Sequence, residues 1–119
     1  MKIGIPKEIY PGENRVATTP EAAEKIIKLG FEVYVQSGAG IAANITDAAY
    51  QQAGVSILDT AQAIWETADI ILKIRAPQRS IELGLDELGL IKNGQTIISF
   101  IWPAQNPDLM DTLAAKNCS

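Results

Sequence analysis

Five short runs of β-branched and aliphatic residues, at 2–5, 31–36, 55–58, 69–74 and 95–101, alternate with segments that carry helix signals. That alternation constrains the fold more than any other feature of the chain. It predicts a parallel sheet whose strands are joined by helical crossovers. The run Ile70-Ile71-Leu72-Lys73-Ile74 is nearly all apolar, as expected of a strand covered on both faces.

The helix signals are specific. In Thr19-Pro20-Glu21, Thr19 caps, Pro20 fits the first helical position, and Glu21 suits the positive end of the helix dipole. Ala23, Ile26 and Ile27 give that helix its inward stripe, and Gly30 ends it. A second helix starts at Thr46-Asp47 and stops at Gly54. A third is capped by Asp59 or Thr60, with Ala61, Ile64 and Trp65 facing inward. Asn106-Pro107-Asp108 repeats the cap-then-proline start, and Leu109, Met110, Leu113 and Ala114 supply an apolar side. Residues 37–45 form a loop of small residues, and Asn93-Gly94 a turn. In 81–91, Gly84 and Gly89 break any long helix, leaving a short helix or turns. The fold class is α/β, a parallel sheet flanked by helices, in the manner of a Rossmann-like or flavodoxin-like subdomain.

The 119 residues suit one domain, of which 47% are hydrophobic. No histidine is present, so Ser-His-Asp and Cys-His catalysis and His-ligated metal sites are excluded within the chain. No metal is expected. The net charge of −4 argues against nucleic acid as a partner, since phosphate binders cluster Lys and Arg. Cys118 alone makes neither an internal disulfide nor a zinc site. No apolar run approaches the ~20 residues of a membrane span, so a soluble chain is expected. The sequence stops at Asn117-Cys118-Ser119, where the pattern calls for another strand, and a truncated portion of a longer polypeptide is expected.

Gly38-Ala39-Gly40-Ile41-Ala42-Ala43 nearly matches the G-x-G-x-x-G/A dinucleotide fingerprint, with Asp59 about twenty residues on. A true fingerprint runs straight into a helix whose N-terminus holds the pyrophosphate, whereas here the helix signal comes only at Thr46. A plain Gly-rich turn is the better reading. Arg15, in Glu13-Asn14-Arg15-Val16-Ala17, is either an exposed loop charge or a fork that clamps a carboxylate or phosphate. Lys73 sits near the carboxyl end of its strand, where open α/β sheets bind ligands; it either faces the crevice or snorkels to the surface. Trp102 lines a pocket or packs in a core, Gln105 is a hydrogen-bond donor, and Asn106 reads as a helix cap. Asp86, Glu87 and the other scattered carboxylates read as solvated surface.

Four ordered segments carry a resemblance. They are Gly4-Ile5-Pro6-Lys7-Glu8, Glu13-Asn14-Arg15-Val16-Ala17-Thr18-Thr19-Pro20, Gln36-Ser37-Gly38-Ala39-Gly40 and Ile71-Leu72-Lys73-Ile74-Arg75-Ala76-Pro77. Together they resemble the alanine dehydrogenase/transhydrogenase N-terminal family, over the whole of residues 1–119. Ser99-Phe100-Ile101-Trp102-Pro103-Ala104-Gln105-Asn106-Pro107 is similar to the transhydrogenase branch, the alpha subunits of proton-translocating NAD(P) transhydrogenase. Alanine dehydrogenases carry a catalytic histidine near the position of Trp102, and this chain has none.

The resemblance implies part of the NAD(H)-binding component of an enzyme that moves hydride between NAD(H) and NADP(H), coupled to proton translocation. It implies NAD held mainly by a downstream Rossmann subdomain absent from this sequence, and NADP on a partner component. It further implies a homodimer, membrane and NADP-binding partner components, and a location on the cytoplasmic side, peripheral to the inner or plasma membrane through the intact complex. The portion alone is expected to be inactive. Arg15 and Lys73 match positions that contact substrate carboxylate and carbonyl in alanine dehydrogenases. With Trp102 and Gln105 they are the cleft candidates, and no catalytic residue is assigned. Two alternatives stand beside this reading, a truncated alanine dehydrogenase and a small carboxylate-binding module built on Arg15 and Lys73.

Overall fold

A computed structural model describes residues 1–9, 12–75, 77, 79–80 and 85–100. Lys2–Ile5 forms β1, Pro20–Lys28 α1, Glu32–Gln36 β2, Asp47–Gln52 α2, Ser56–Leu58 β3, Ala61–Thr67 α3 and Ile70–Arg75 β4. Arg79–Ser80 (β5) and Leu85–Asp86 (β6) pair antiparallel, Glu87–Leu90 forms α4, and Thr96–Phe100 forms β7. Five strands make one parallel sheet in the order β3-β2-β1-β4-β7. This is the expected α/β architecture. The predicted helix at Asn106 lies outside the described residues.

Each of the first three helices opens with a threonine. Thr19, Thr46 and Thr60 accept through Oγ1 from the amides of Ala22, Ala49 and Ala63 at 3.2, 3.1 and 3.1 Å. Such caps are worth about 1 kcal/mol each. Thr60, rather than Asp59, caps α3.

Alternation along the strands sorts the core into two faces. Ile3, Ile5, Val33 and Val35 pack with Ala23 of α1 and Tyr50 of α2. On the other face Ile71 and Ile97 pack with Ala61, Ile64 and Trp65 of α3 and with Leu88 and Ile91. Gly4 belongs to this second face, where α3 comes very close to β1. A Cβ on Gly4 would stand 2.7 Å from Ala68 Cβ and 3.0 Å from Ile64 Cγ2, so a larger residue would push the helix off the sheet. On the β7 edge Ile98 turns away from α3 and is 56% exposed.

The stretch at 81–91 differs from expectation in part. A short helix is present, but it follows the β5–β6 pair, and Gly89 lies inside it. Two-residue strands are too short to show a period, so the pair left no mark in the sequence pattern. Among the described residues no helix is long and apolar enough to cross a membrane.

Candidate functional site

From β1 the chain winds outward through β2 to β3, then returns to the other side of β1 for β4 and β7. The carboxyl ends of β1 and β4 therefore flank a topological switch point, the usual position of a ligand crevice in open α/β sheets. Among the described residues, Glu8 beyond β1, Lys73 near the end of β4 and Glu87 of α4 are buried charges.

A β-bulge shapes the end of β4. Leu72 pairs with Ile98 and Arg75 with Phe100, so three steps on β4 match two on β7. Bulges re-aim side chains and free backbone groups from the ladder. Here Glu8, just beyond β1, takes the freed donors. Its Oε2 accepts from the amide of Ile74 at 3.0 Å, and its Oε1 from the amide of Arg75 at 3.1 Å. Lys73 Nζ donates to the same Oε1 at 3.0 Å and stands 3.2 Å from Glu87 Oε2. The side chains of Lys73, Glu8 and Glu87 are 1, 2 and 0% exposed.

Lys73 thus does not snorkel: its ammonium is buried between two carboxylates at the carboxyl end of β4. It shares Ile71's phase in β4, which points inward, and a buried ammonium persists only when paired. Glu87 is likewise no surface carboxylate. It lies one turn before Ile91 and beside Leu88, in phase with the apolar side of its segment, and that phase was the available signal. Glu8 was missed as well, because its partner is 65 residues away and becomes visible only once β1 and β4 are known to be neighbours.

A second charged group lies outside this one. Glu13 Oε2 accepts from Arg15 Nε at 2.9 Å and from the Arg15 amide at 3.0 Å. Its Oε1 accepts from Arg15 Nη2 at 2.9 Å and from Arg75 Nε at 2.8 Å. Arg15 is 63% and Arg75 41% exposed, while Glu13 is 3% exposed. The Arg15 guanidinium, aided by its amide and by Arg75, holds the Glu13 carboxyl well below the usual carboxylate range, against the opposing effect of desolvation.

Arg15 and Lys73 therefore lie on one edge of the sheet, linked through Glu13, Arg75 and Glu8. The inner group sets one ammonium against two carboxylates, and the outer sets two guanidiniums against one. Both predicted cations already hold internal carboxylates. Trp102 and Gln105 lie outside the described residues.

The Gly-rich loop does not fit a dinucleotide. Asp47, the first residue of α2, accepts from the Ser37 hydroxyl at 2.6 Å and the Gly38 amide at 2.9 Å. Those two bonds, the hydroxyl's first, lower its pKa and keep a negative charge where a pyrophosphate would need donors. Gly40 serves packing: a Cβ there would stand 2.9 Å from Ile45 O and from Tyr50 Cε2. Tyr50 in turn donates to Thr18 O at 2.6 Å, and burial pushes its phenol up to about 12. The Gly-rich turn expected here is what the structure contains, with a short 3₁₀ turn at Ile41–Ala43.

A shallow hollow of about 330 Å³ lies at the opposite, amino edge of the sheet, between Met1, Asp69, Lys92 and Thr96. It is remote from these charged groups.

A parallel α/β sheet with helices on both faces and charge gathered at its switch point defines a Rossmann-like domain whose chemistry belongs at the carboxyl edge. Residues 4–119 match the family described as "Alanine dehydrogenase/PNT, N-terminal domain", and the chain belongs to that family. It is 44% identical, over its whole length, to NAD(P) transhydrogenase subunit alpha of Cereibacter sphaeroides, of which it spans 22%. It is 40% identical, over 98% of its length, to alanine dehydrogenase of Methanococcus maripaludis, of which it spans 30%. The structure of a transhydrogenase from Sinorhizobium meliloti superposes on 99% of the chain with a TM-score of 0.85 at 33% identity, and the chain covers 32% of it. The chain thus spans less than a third of the length of these relatives.

Proposed function

We propose that this chain is the first subdomain of the NAD(H)-binding component of a proton-translocating NAD(P) transhydrogenase. In that enzyme hydride passes between NAD(H) and NADP(H) with coupled proton movement. A downstream Rossmann subdomain holds most of the NAD, and NADP sits on a partner component. Residues 1–119 supply one wall of the cleft, with Arg15, Lys73, Trp102 and Gln105 as its candidate residues. The component acts as a homodimer on the cytoplasmic side of the membrane, attached through the intact complex.

The observation that carries this reading is the 44% identity to a transhydrogenase alpha subunit across the entire chain. The site's chemistry supports it. Hydride exchange between two dinucleotides needs no clamp for a small acid, and Arg15 and Lys73 are both engaged by internal carboxylates. The occupied amide of Gly38 agrees with a dinucleotide held elsewhere. Calorimetry with NADH tests the division of labour. No heat is expected from the 119 residues at micromolar NADH, and binding is expected once a downstream Rossmann subdomain is joined to them. Micromolar affinity from this chain alone overturns the reading.

The 40% identity to an alanine dehydrogenase favours a second reading, a portion of an amino-acid dehydrogenase. The lack of histidine counts against it, because that route needs a general acid/base near Trp102. Alanine-dependent reduction of NAD by a polypeptide carrying this domain would establish it.

A further inference from the structure

We propose that Glu8 is a positioning residue for Lys73: it fixes the ammonium to the backbone of β4 and so makes a flexible cation into a hydrogen-bond donor of set direction. Lysine is a compact charge on a four-carbon stem, and nothing in the side chain itself holds that charge still. Here the stem ends inside the fold, with 1% of the side chain exposed. Lys73 lies within the bulge, between Leu72 and Arg75, and past Ile71 the strand has no further register partner in β1. The Glu8 carboxylate sits on that flank. Its Oε2 accepts from the amide of Ile74 at 3.0 Å, and its Oε1 from the amide of Arg75 at 3.1 Å and from Lys73 Nζ at 3.0 Å.

The dependence runs one way. Two of the three bonds to Glu8 come from main-chain amides, which any side chain at position 73 leaves in place. Glu8 is seated on the backbone, and Lys73 is seated on Glu8. Glu87 of α4 adds a second contact, with its Oε2 3.2 Å from Lys73 Nζ. An ammonium carries three N–H donors, set tetrahedrally about the C–N bond. Two directed contacts stop its rotation, and the third N–H is then left with one direction. Among the described residues that third N–H has no acceptor. A donor already held in place loses little freedom when an acceptor arrives, which is what preorganisation of a site requires. Glu8 therefore acts on the carboxyl edge through Lys73.

The inference rests on Lys73 as a cleft residue of the transhydrogenase reading, but its test needs no dinucleotide. The 119-residue chain, labelled with nitrogen-15, is observed by NMR at its lysine Nζ groups. An ammonium held on fixed carboxylates exchanges its hydrogens slowly and gives a resolved signal, whereas exposed lysines exchange too fast to be seen. A signal that disappears in Lys73→Arg is expected, and its absence from the unaltered chain overturns the proposal. Glu8→Gln keeps the size but offers one acceptor oxygen to three donors, and turns an NH2 toward them. Relative to the amides of Val33 and Val35, exchange at Lys73 Nζ is expected to quicken about tenfold or more in this variant. Glu87→Gln leaves the backbone-seated contact intact and is expected to quicken it less. No change in Glu8→Gln overturns the proposal, and so does an equal or larger effect from Glu87→Gln. If Glu8→Gln does not fold, relaxation at Lys73 Nζ of the unaltered chain decides: an order parameter near the rigid-backbone value of about 0.85 is expected, and one below about 0.6 overturns the proposal. A rigid ammonium without NADH binding by the joined subdomains defeats the transhydrogenase reading alone. A mobile ammonium with NADH binding defeats this inference alone.

Discussion

The inner group of Glu8, Lys73 and Glu87 and the outer group of Glu13, Arg15 and Arg75 have nearly the same contact lengths. Their ion pairs fall between 2.8 and 3.2 Å. Their surroundings differ. The inner side chains are almost wholly removed from water, whereas two of the three outer ones face it. Contact length therefore says little about energy. Inside, each charge has lost several kcal/mol of hydration and depends on its partner to recover it. Outside, water and salt share the work, and such pairs are worth roughly 0–1 kcal/mol. One group fastens β1, β4 and α4 together; the other leaves its guanidiniums within reach of solutes.

The largest effect expected from this contrast comes from Lys73→Met. It strands two carboxylates in the interior and should lower unfolding stability by about 3–5 kcal/mol in urea denaturation. Lys73→Met/Glu8→Gln/Glu87→Gln, which removes every inner charge, should recover at least about half of that loss. If the single and triple changes are equally damaging, the cost is packing and the inner group is no charge lock. Next in size, Glu13→Gln should cost less than about 1 kcal/mol. That cost should shrink as salt approaches about 1 M, while the cost of Lys73→Met should barely move, because screening reaches only exposed pairs. A salt-insensitive Glu13→Gln would erase the distinction.

The smallest effect lies in the acid limb. The folded state depresses the carboxyl of Glu13 below its ordinary value of 4.5, so its contribution is fully present above that pH. The contribution is lost as pH falls toward the depressed value. The unaltered chain should therefore lose stability more steeply than Glu13→Gln below about pH 4.5. Parallel limbs in the two titrations would mean the outer pairs do not stabilise the fold.

Much of the fold was legible because its signals are local. Thr19, Thr46 and Thr60 cap helices within three residues of themselves, and the strands announce themselves by composition. The site was less legible because its bonds are not local. Arg15 and Lys73 stood out as cations in suggestive places, but what they hold depends on strand order. The pairing of Glu8 with Lys73 requires β4 to return beside β1, and the amides of Ile74 and Arg75 lie past the last β1 partner and next to a bulge against β7. No period in the sequence reports a one-residue slip between strands. Glu87 was the exception, its spacing of four residues from the buried Ile91 being readable beforehand. Trp102 and Gln105 lie outside the described residues.

Arg75 belongs to both layers by different atoms, its guanidinium reaching Glu13 and its peptide nitrogen reaching Glu8. Genetic scanning counts side chains, so it would register at this codon only the half that faces water. Nineteen of the twenty amino acids keep the nitrogen's hydrogen. Proline alone withdraws it, and at position 75 the hidden half would speak through that one replacement.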